Sequence, residues 1–442
     1  MTGLAKAGVH AVKWSAFSTL ARFLLQLGAQ VVLARLLGPD NYGVFGISLL
    51  VLSLTGFLSN FGFGWNLMHK QNLTTEDIRF AATWQVLTGT IAMLVLLLSA
   101  PRLADYFHDP RVTPVIRWLS LTCFLGAAAS ASSNLLQRDL NFRAIGLIQI
   151  GSYACGYIAV GIPMAYAGAG VQALVAAVVV QAVVVTLASY AMRPHSLLPL
   201  LRYPGMAKAM GIGGTVFITN ITNWALNNID RVFLGRTLNA NAVGLYSVGY
   251  NIATMPNSLL LNALQPAFMA AAARMQSDPE RLGRAYLQMM GTICVLVIPF
   301  FVFLAAISTD LVRLLYGSRW DGTGSVMAIL FLGMPALVAW GLSTPVLWNM
   351  GRKHHESFLQ IPILILGAAC FYAFTSMGVV AVATVASLIL LGRMLVICGS
   401  AFLVLKLSPT LLLPQLVRGL FLSAMCACIV WGCTWFTGPN HP

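Results

Sequence analysis

Charge is the scarcest feature of this chain. Only 9% of its 442 residues are charged, and Asp and Glu together number 12. Soluble domains carry about 25% charged residues. With 58% hydrophobic residues and a mean hydropathy of +0.81, a water-soluble globular fold is excluded. Enzyme signatures are also missing: the sequence has no HExxH, no GxSxG and no GxxxxGK[ST]. The adjacent His354 and His355 stand in a basic connection, where solvation explains them better than a metal. The eight cysteines all fall inside apolar segments, which excludes a disulfide framework in the loops and gives no zinc spacing. Cys426, Cys428 and Cys433 are expected to serve helix packing. No extramembrane domain fits between the apolar segments. The longest connections, about 192–208 and 269–286, have room only for a short interfacial helix. The β-favouring runs Val31–Leu33 and Val178–Val185 are too short for a barrel. No cofactor or metal is called for.

What is present is a series of apolar segments, each close to the roughly 20 residues that cross a bilayer. Helices are predicted at about 12–36, 41–63, 79–100, 115–136, 144–166, 170–191, 209–234, 243–265, 287–307, 325–349, 357–377, 379–405 and 412–437. The first is a membrane helix and not a cleaved signal: it carries Arg22, Gln26 and Gln30 and has no small-residue cleavage site. The net charge of +14 invites a polyanionic partner, but its distribution gives another cause. With the N-terminus in the cytoplasm, that face collects Lys6, Lys13, Lys70, Arg79, Arg138, Arg143, Arg193, Arg202, Lys208, Arg274, Arg281, Arg284, Arg352, Lys353, Lys406 and Arg418. The other face holds about half as many, among them Arg35, Arg111, Arg236 and Arg313. The bias sets a cytoplasmic N-terminus and removes the need for nucleic acid.

The chain repeats itself weakly. When Arg35 is laid over Arg236, Gly43 falls on Gly244, Phe45 on Tyr246, Gln26 on Asn227 and Arg22 on Asn223. A second pair, NLLQRDLNF from Asn134 and WNMGRKHHE from Trp348, supports this at a drifted offset. The fold class expected is therefore an all-α polytopic membrane protein. It has two six-helix lobes related by a parallel internal repeat, residues 1–208 and 209–408, and one extra C-terminal helix in 409–442.

Polar residues within the spans mark where a site can lie. Arg22, Gln26 and Gln30 share one face of the first helix, with Ser15 and Ser18 roughly continuing it. Asn220, Asn223 and Asn227 share a face of the seventh, near Asp230 and Arg231. Asp230 and Arg231 are adjacent, so their side chains diverge. Amides at 251, 257, 262 and 265 in the eighth helix are expected to act as interhelical hydrogen-bond donors. Arg35 and Arg236 lie at helix ends, where snorkelling suffices. Arg22 lies thirteen residues from Arg35, about 20 Å along a helix, and cannot reach that face. An arginine at a helix centre costs about 2.5–3.5 kcal/mol, so Arg22 should face a cavity; Arg393 could line one or pair with a backbone carbonyl. Amides suit hydroxyl-rich cargo and an arginine fork suits phosphate. The expected cargo combines sugar and phosphate.

The segments ARLLGPDNYGVFGI, LLQRDLNFRAI, NNIDRVFLGRTLNANAVGLYSVGYNIATMPNSLL, QPAFMAAAARMQSDPERL and LLYGSRW, followed by LWNMGRKH, carry a resemblance over about residues 10–410. In their order, they resemble the bacterial polysaccharide transporter family. These are lipid-linked oligosaccharide flippases of the multidrug/oligosaccharidyl-lipid/polysaccharide exporter superfamily. The resemblance implies an inner-membrane protein that moves an undecaprenyl-pyrophosphate-linked glycan between leaflets by alternating access. It implies a lipid-linked oligosaccharide and membrane lipid as partners, and leaves room for other polysaccharide-assembly proteins. Carried onto this chain, the head-group role falls to Arg22, then Arg231 and Arg393. The family usually has twelve or fourteen helices, whereas thirteen are read here. Two alternatives remain open at this point. One is a drug or cation exporter of the same superfamily, which needs acidic cavity groups. The other is a membrane glycan polymerase or ligase, which needs a large catalytic loop.

Overall fold

The structure is a computed structural model. It describes residues 2–59, 67, 73–202, 224–225, 227–351 and 353–437. Among the described residues there is no strand, as an apolar chain requires when each backbone polar group must be satisfied within its own segment. The helices are α1 (Thr2–Ser59), α2 (Thr75–Phe107), α3 (Val112–Arg138), α4 (Phe142–Tyr166) and α5 (Val171–Met192). They continue with α6 (residues 227–237), α7 (Ala240–Arg274), α8 (Pro279–Ala306), α9 (Ser308–Tyr316), α10 (Asp321–Asn349), α11 (Lys353–Phe374), α12 (Val379–Val404) and α13 (Leu413–Thr437).

Ten helical segments among the described residues are long and apolar enough to cross a membrane. The difference from thirteen has simple causes. The first two expected helices form the single kinked α1. Most of 209–234 lies outside the described residues, so the internal repeat cannot be followed there. α7, which carries several amides as well as Pro256 and Pro266, is not among the ten. Two connections also differ from expectation. The amphipathic start at Pro279 runs straight into the span, so α8 is one helix and not an interfacial helix followed by another. After it comes the short α9, which buries Ser308, Val312 and Tyr316 along one face. Of the three clustered cysteines, Cys426 is half-buried, and Cys428 and Cys433 stand exposed on α13.

The kink in α1 follows from its sequence. Gly38 adopts φ 73°, ψ 173°, a backbone that only glycine takes without strain. Pro39 then restarts the helix, as proline does at a first turn. The Asn41 amide donates to the Leu37 carbonyl at 2.8 Å. Asp40 pairs with Arg111 from the α2–α3 connection, which fixes the bend from outside.

By its contacts the chain forms two compact units, Met1–Gly244 and Leu245–Pro442. In the first, small residues let helices approach closely, as is usual in membranes. A Cβ on Gly89 would lie 2.3 Å from that of Ala127, and one on Gly156 2.4 Å from the Ala177 carbonyl oxygen. The closest approach is reciprocal. A Cβ on Gly43 would fall 1.6 Å from the Ala240 oxygen, and one on Gly244 1.9 Å from the Pro39 oxygen. The second unit is organised on α10, whose Val326, Met327, Leu330, Met334 and Val338 are completely enclosed. Asn257 of α7 donates to the Met334 carbonyl at 3.3 Å and Gln265 to that of Gly341 at 2.9 Å. These two amides therefore act as the interhelical donors expected.

Candidate functional site

In the first unit, α1 and α4 run alongside each other with their polar faces together. Arg143 lies over the Trp14 ring, 5.3 Å from its centroid. One turn on, Ser18 is buried and donates to the Trp14 carbonyl at 2.7 Å. It presses against Gly146, where a Cβ would stand 2.6 Å from its own. The next residue on this face of α1 is Arg22. On α4 the matching face continues through Ile150 to Tyr153 and Tyr157.

Arg22 is half-buried. Its Nε is enclosed and has no hydrogen-bond partner, and no acidic residue pairs with it among the described residues. Tyr153 and Tyr157 stand on the matching face of α4. Those two rings are stacked, with centroids 4.3 Å apart and an interplanar angle of 11°. The backbone that presents them is unusual. Ala154–Gly161 is a π-helical segment inside α4, and such widened turns often occur at functional positions. Gly156 and Gly161 seat the wide turn directly on α5. Gln26 and Gln30 follow Arg22 on α1 and are half-buried. The Gln30 carbonyl accepts from Tyr42 across the kink at 3.4 Å.

The remaining expected residues fall into separate groups. Asn220 and Asn223 lie outside the described residues. On α6, Asn227 is exposed and Asp230 is buried. Arg231 donates from Nη1 to the Asn228 amide oxygen at 3.1 Å, and Asp230 accepts the Arg231 backbone N–H at 2.8 Å. Trp224 donates from Nε1 to Ser53 of α1 at 2.7 Å. In the second unit, Arg393 is only 2% exposed. It donates to the Gln360 amide oxygen at 2.7 Å, and its guanidinium lies 3.8 Å from the Trp340 ring centroid. It therefore pairs with an amide and an aromatic face, which the sequence did not reveal. Arg22, Gln26 and Gln30 are brought together on α1; Asn227, Asp230 and Arg231 share α6; Arg393 stands with its own partners.

Two residues of the site were missed from sequence, Tyr153 and Tyr157. The signal was present: GSYACGYIAVG places two tyrosines one turn apart among small and aliphatic residues. Chemically, the arrangement is a half-buried cation flanked by two neutral O–H donors. It favours an anion.

Known proteins bear on this arrangement. Residues 32–325 match the family described as polysaccharide biosynthesis protein. The chain is 24% identical to the lipopolysaccharide biosynthesis protein WzxC of Escherichia coli (strain K12), over 73% of this chain and 66% of that one. It is 26% identical to the succinoglycan biosynthesis transport protein ExoT of Rhizobium meliloti (strain 1021), over 79% and 70%. It is 21% identical to the teichuronic acid biosynthesis protein TuaB of Bacillus subtilis (strain 168), over 98% and 90%. The chain thus spans just under two thirds of WzxC and most of TuaB. Among solved structures, the lipid II flippase MurJ in an inward closed conformation superposes with a TM-score of 0.74 at 12% identity, covering 97% of this chain and 93% of that one. An inward-facing multidrug resistance MATE transporter of the MOP superfamily gives 0.63 at 13%, over 92% and 95%. These likenesses establish the fold, an all-helical multi-pass membrane architecture. Because the family match spans more than half of its length, the chain belongs to the polysaccharide biosynthesis protein family.

Proposed function

We propose that the protein is a flippase. It moves an undecaprenyl-diphosphate-linked oligosaccharide, an exopolysaccharide or O-antigen-type unit, across the bacterial inner membrane by alternating access, with its N-terminus cytoplasmic. One observation carries this reading: Arg22 lies within the membrane span of α1, its Nε enclosed, with no acidic partner among the described residues. A cation placed there at a cost of about 2.5–3.5 kcal/mol is the expected counterpart of an anionic head group. Gln26 and Gln30, and the amides of the seventh helix, supply groups suited to sugar hydroxyls. The names of WzxC, ExoT and TuaB, each a polysaccharide biosynthesis or transport protein, support the same cargo class. Lobes at residues 1–208 and 209–408, with 409–442 appended, fit the reciprocal approach at Gly43 and Gly244. Positions that align in the repeat meet there as a two-fold axis would bring them.

A cation exporter on this fold would need a free intramembrane acid. Asp230 already accepts the Arg231 backbone N–H. The experiment is complementation of a deletion strain with Arg22→Ala and Arg22→Lys. We expect Ala to abolish surface polymer and to leave the lipid-linked oligosaccharide on the inner leaflet; Lys should retain part of the export. Wild-type export from Arg22→Ala would overturn the head-group role. Organic-cation efflux would replace the flippase by an exporter, and polymerisation by the purified protein would replace it by an enzyme.

A further inference from the structure

The stacked tyrosines of α4 have no place in the reading above, and their surroundings assign them one. A diphosphate carries about two negative charges, whereas the α1 stripe offers a single guanidinium. In a low-dielectric interior a second arginine would add a desolvation penalty of its own. Neutral O–H donors extend the reach of one cation without adding charge. Tyr153 and Tyr157 are the donors available. They share the helical face that follows Arg143 and Gly146, two positions seated on Trp14 and Ser18 of α1. One turn beyond Ser18 on the same face of α1 stands Arg22. Neither makes a hydrogen bond to the described protein. The rings stack on each other at 4.3 Å, so they hold one another in place and leave the hydroxyls to a ligand. The π-helical turn at Ala154–Gly161 sets this geometry, and the seating of Gly156 on the Ala177 carbonyl holds the turn against α5.

The geometry points to a diphosphate cradle in which Arg22 holds one phosphate and the Tyr153 and Tyr157 hydroxyls donate to the other. The ligand class is a diphosphate ester, and the commitment is to one carried on a polyprenyl chain. The inference rests on the flippase reading and sharpens it: the hydroxyls distinguish a diphosphate head group from a monophosphate. The rings could instead serve packing alone, so the test replaces hydroxyls and keeps rings.

The full chain, purified in detergent or nanodiscs, is titrated with undecaprenyl diphosphate, undecaprenyl monophosphate and inorganic pyrophosphate, read by native mass spectrometry. Tyr153→Phe, Tyr157→Phe, the double variant and Arg22→Ala are compared with wild type. Loss of one hydroxyl facing a charged oxygen should weaken diphosphate binding about tenfold. The double variant should bind both lipids equally, with a ligand-free melting temperature like that of wild type. Double-variant binding with the wild-type preference for diphosphate would overturn the cradle while leaving the flippase reading intact. A lowered melting temperature with the preference preserved would assign the tyrosines to packing and overturn it too. If inorganic pyrophosphate bound as tightly as the lipid, the site would belong to a free anion and the lipid-linked assignment would fall. If wild type bound neither lipid, or Arg22→Ala bound both unchanged, the flippase reading itself would fail, and that result does not depend on the tyrosines.

Discussion

Alanine at Gly244 should destabilise the protein severely, and alanine at Gly43 should do the same by the same route. A Cβ at Gly244 would lie 1.9 Å from the Pro39 carbonyl oxygen and 2.8 Å from its carbon. A Cβ at Gly43 would lie 1.6 Å from the Ala240 oxygen and 2.3 Å from its carbon. An ordinary contact of this kind is 3.4 Å or more, so either variant must part the two segments by roughly 1.5–1.8 Å, and the obstacle is backbone that no rotamer change can move. Overpacking costs about 1–3 kcal/mol and sometimes more; a backbone clash belongs at the upper end. At about 2–4 °C per kcal/mol for a unit of this size, each single variant should lose about 5–10 °C of apparent melting temperature. The informative experiment is the double variant. Once one methyl has opened the crossing, the second finds the gap already made, so the double should cost about as much as the worse single and the coupling should nearly cancel one full penalty. Gly126→Ala and Gly151→Ala serve as controls: a Cβ there meets nothing within 4 Å, and alanine should gain up to about 1 kcal/mol of helix propensity. Thermal unfolding of purified variants by tryptophan fluorescence measures all five. An additive double, or a neutral single, would refute the crossing.

Two further outcomes follow from named contacts. The segment after α5 is strapped to α2 and α3. Arg79 donates to Leu198 at 3.0 Å, Trp84 donates to Leu201 at 3.1 Å, and His195 Nδ1 lies 3.0 Å from the Ser132 hydroxyl. Burial holds the His195 imidazole below its usual value. Above about pH 6.5 it is neutral whether folded or not; as pH falls below that, the unfolded chain takes a proton first and stability declines. The melting temperature should therefore drop between pH 7.5 and 5 by more in wild type than in His195→Asn, and equal pH profiles would refute this. Arg393→Met should cost about 1–3 kcal/mol by removing the buried hydrogen bond to the Gln360 amide and the contact with the Trp340 ring. Arg393→Met with Gln360→Leu should recover much of that loss in the same unfolding assay, and no recovery would show that the pair does not couple.

The sequence made the helical class legible because apolar length is a direct readout of bilayer thickness, and it located the kink because Gly38-Pro39 allows no continuous helix. It also located Arg22, Gln26 and Gln30 as a stripe, since helical spacing alone puts them on one face. Three things were not legible. Helix continuity at Pro279 was missed because a proline at a first turn looks the same whether the helix ends at the interface or enters the membrane. The partners of Arg393 were missed because Trp340 and Gln360 lie on other helices, and nothing in sequence spacing brings them together. The tyrosine pair was not legible because two tyrosines one turn apart among aliphatic residues read as packing until Arg143 and Gly146 are seen seated on α1.

The two deep arginines show how a membrane interior separates structure from function. Both sit in apolar spans, and composition alone treats them alike. Arg393 is 2% exposed and engaged by an amide oxygen and an indole face. Its Nη2 and its face are engaged by the fold, although its Nε, like that of Arg22, meets no hydrogen-bond partner, so its removal is felt as lost stability. Arg22 has an enclosed Nε without a partner and, beside it, two hydroxyls that donate to nothing in the described protein. Three donors on the paired faces of α1 and α4, without an acceptor among the described residues, are a poor way to stabilise a helix pair, because each carries a desolvation cost that the fold does not return. Local rules are broken in this way where a ligand completes them. The acceptor that would complete this set must be anionic, must offer more than one oxygen, and must arrive within the membrane. Free phosphate from water meets the first two conditions, while a diphosphate on a polyprenyl chain meets all three.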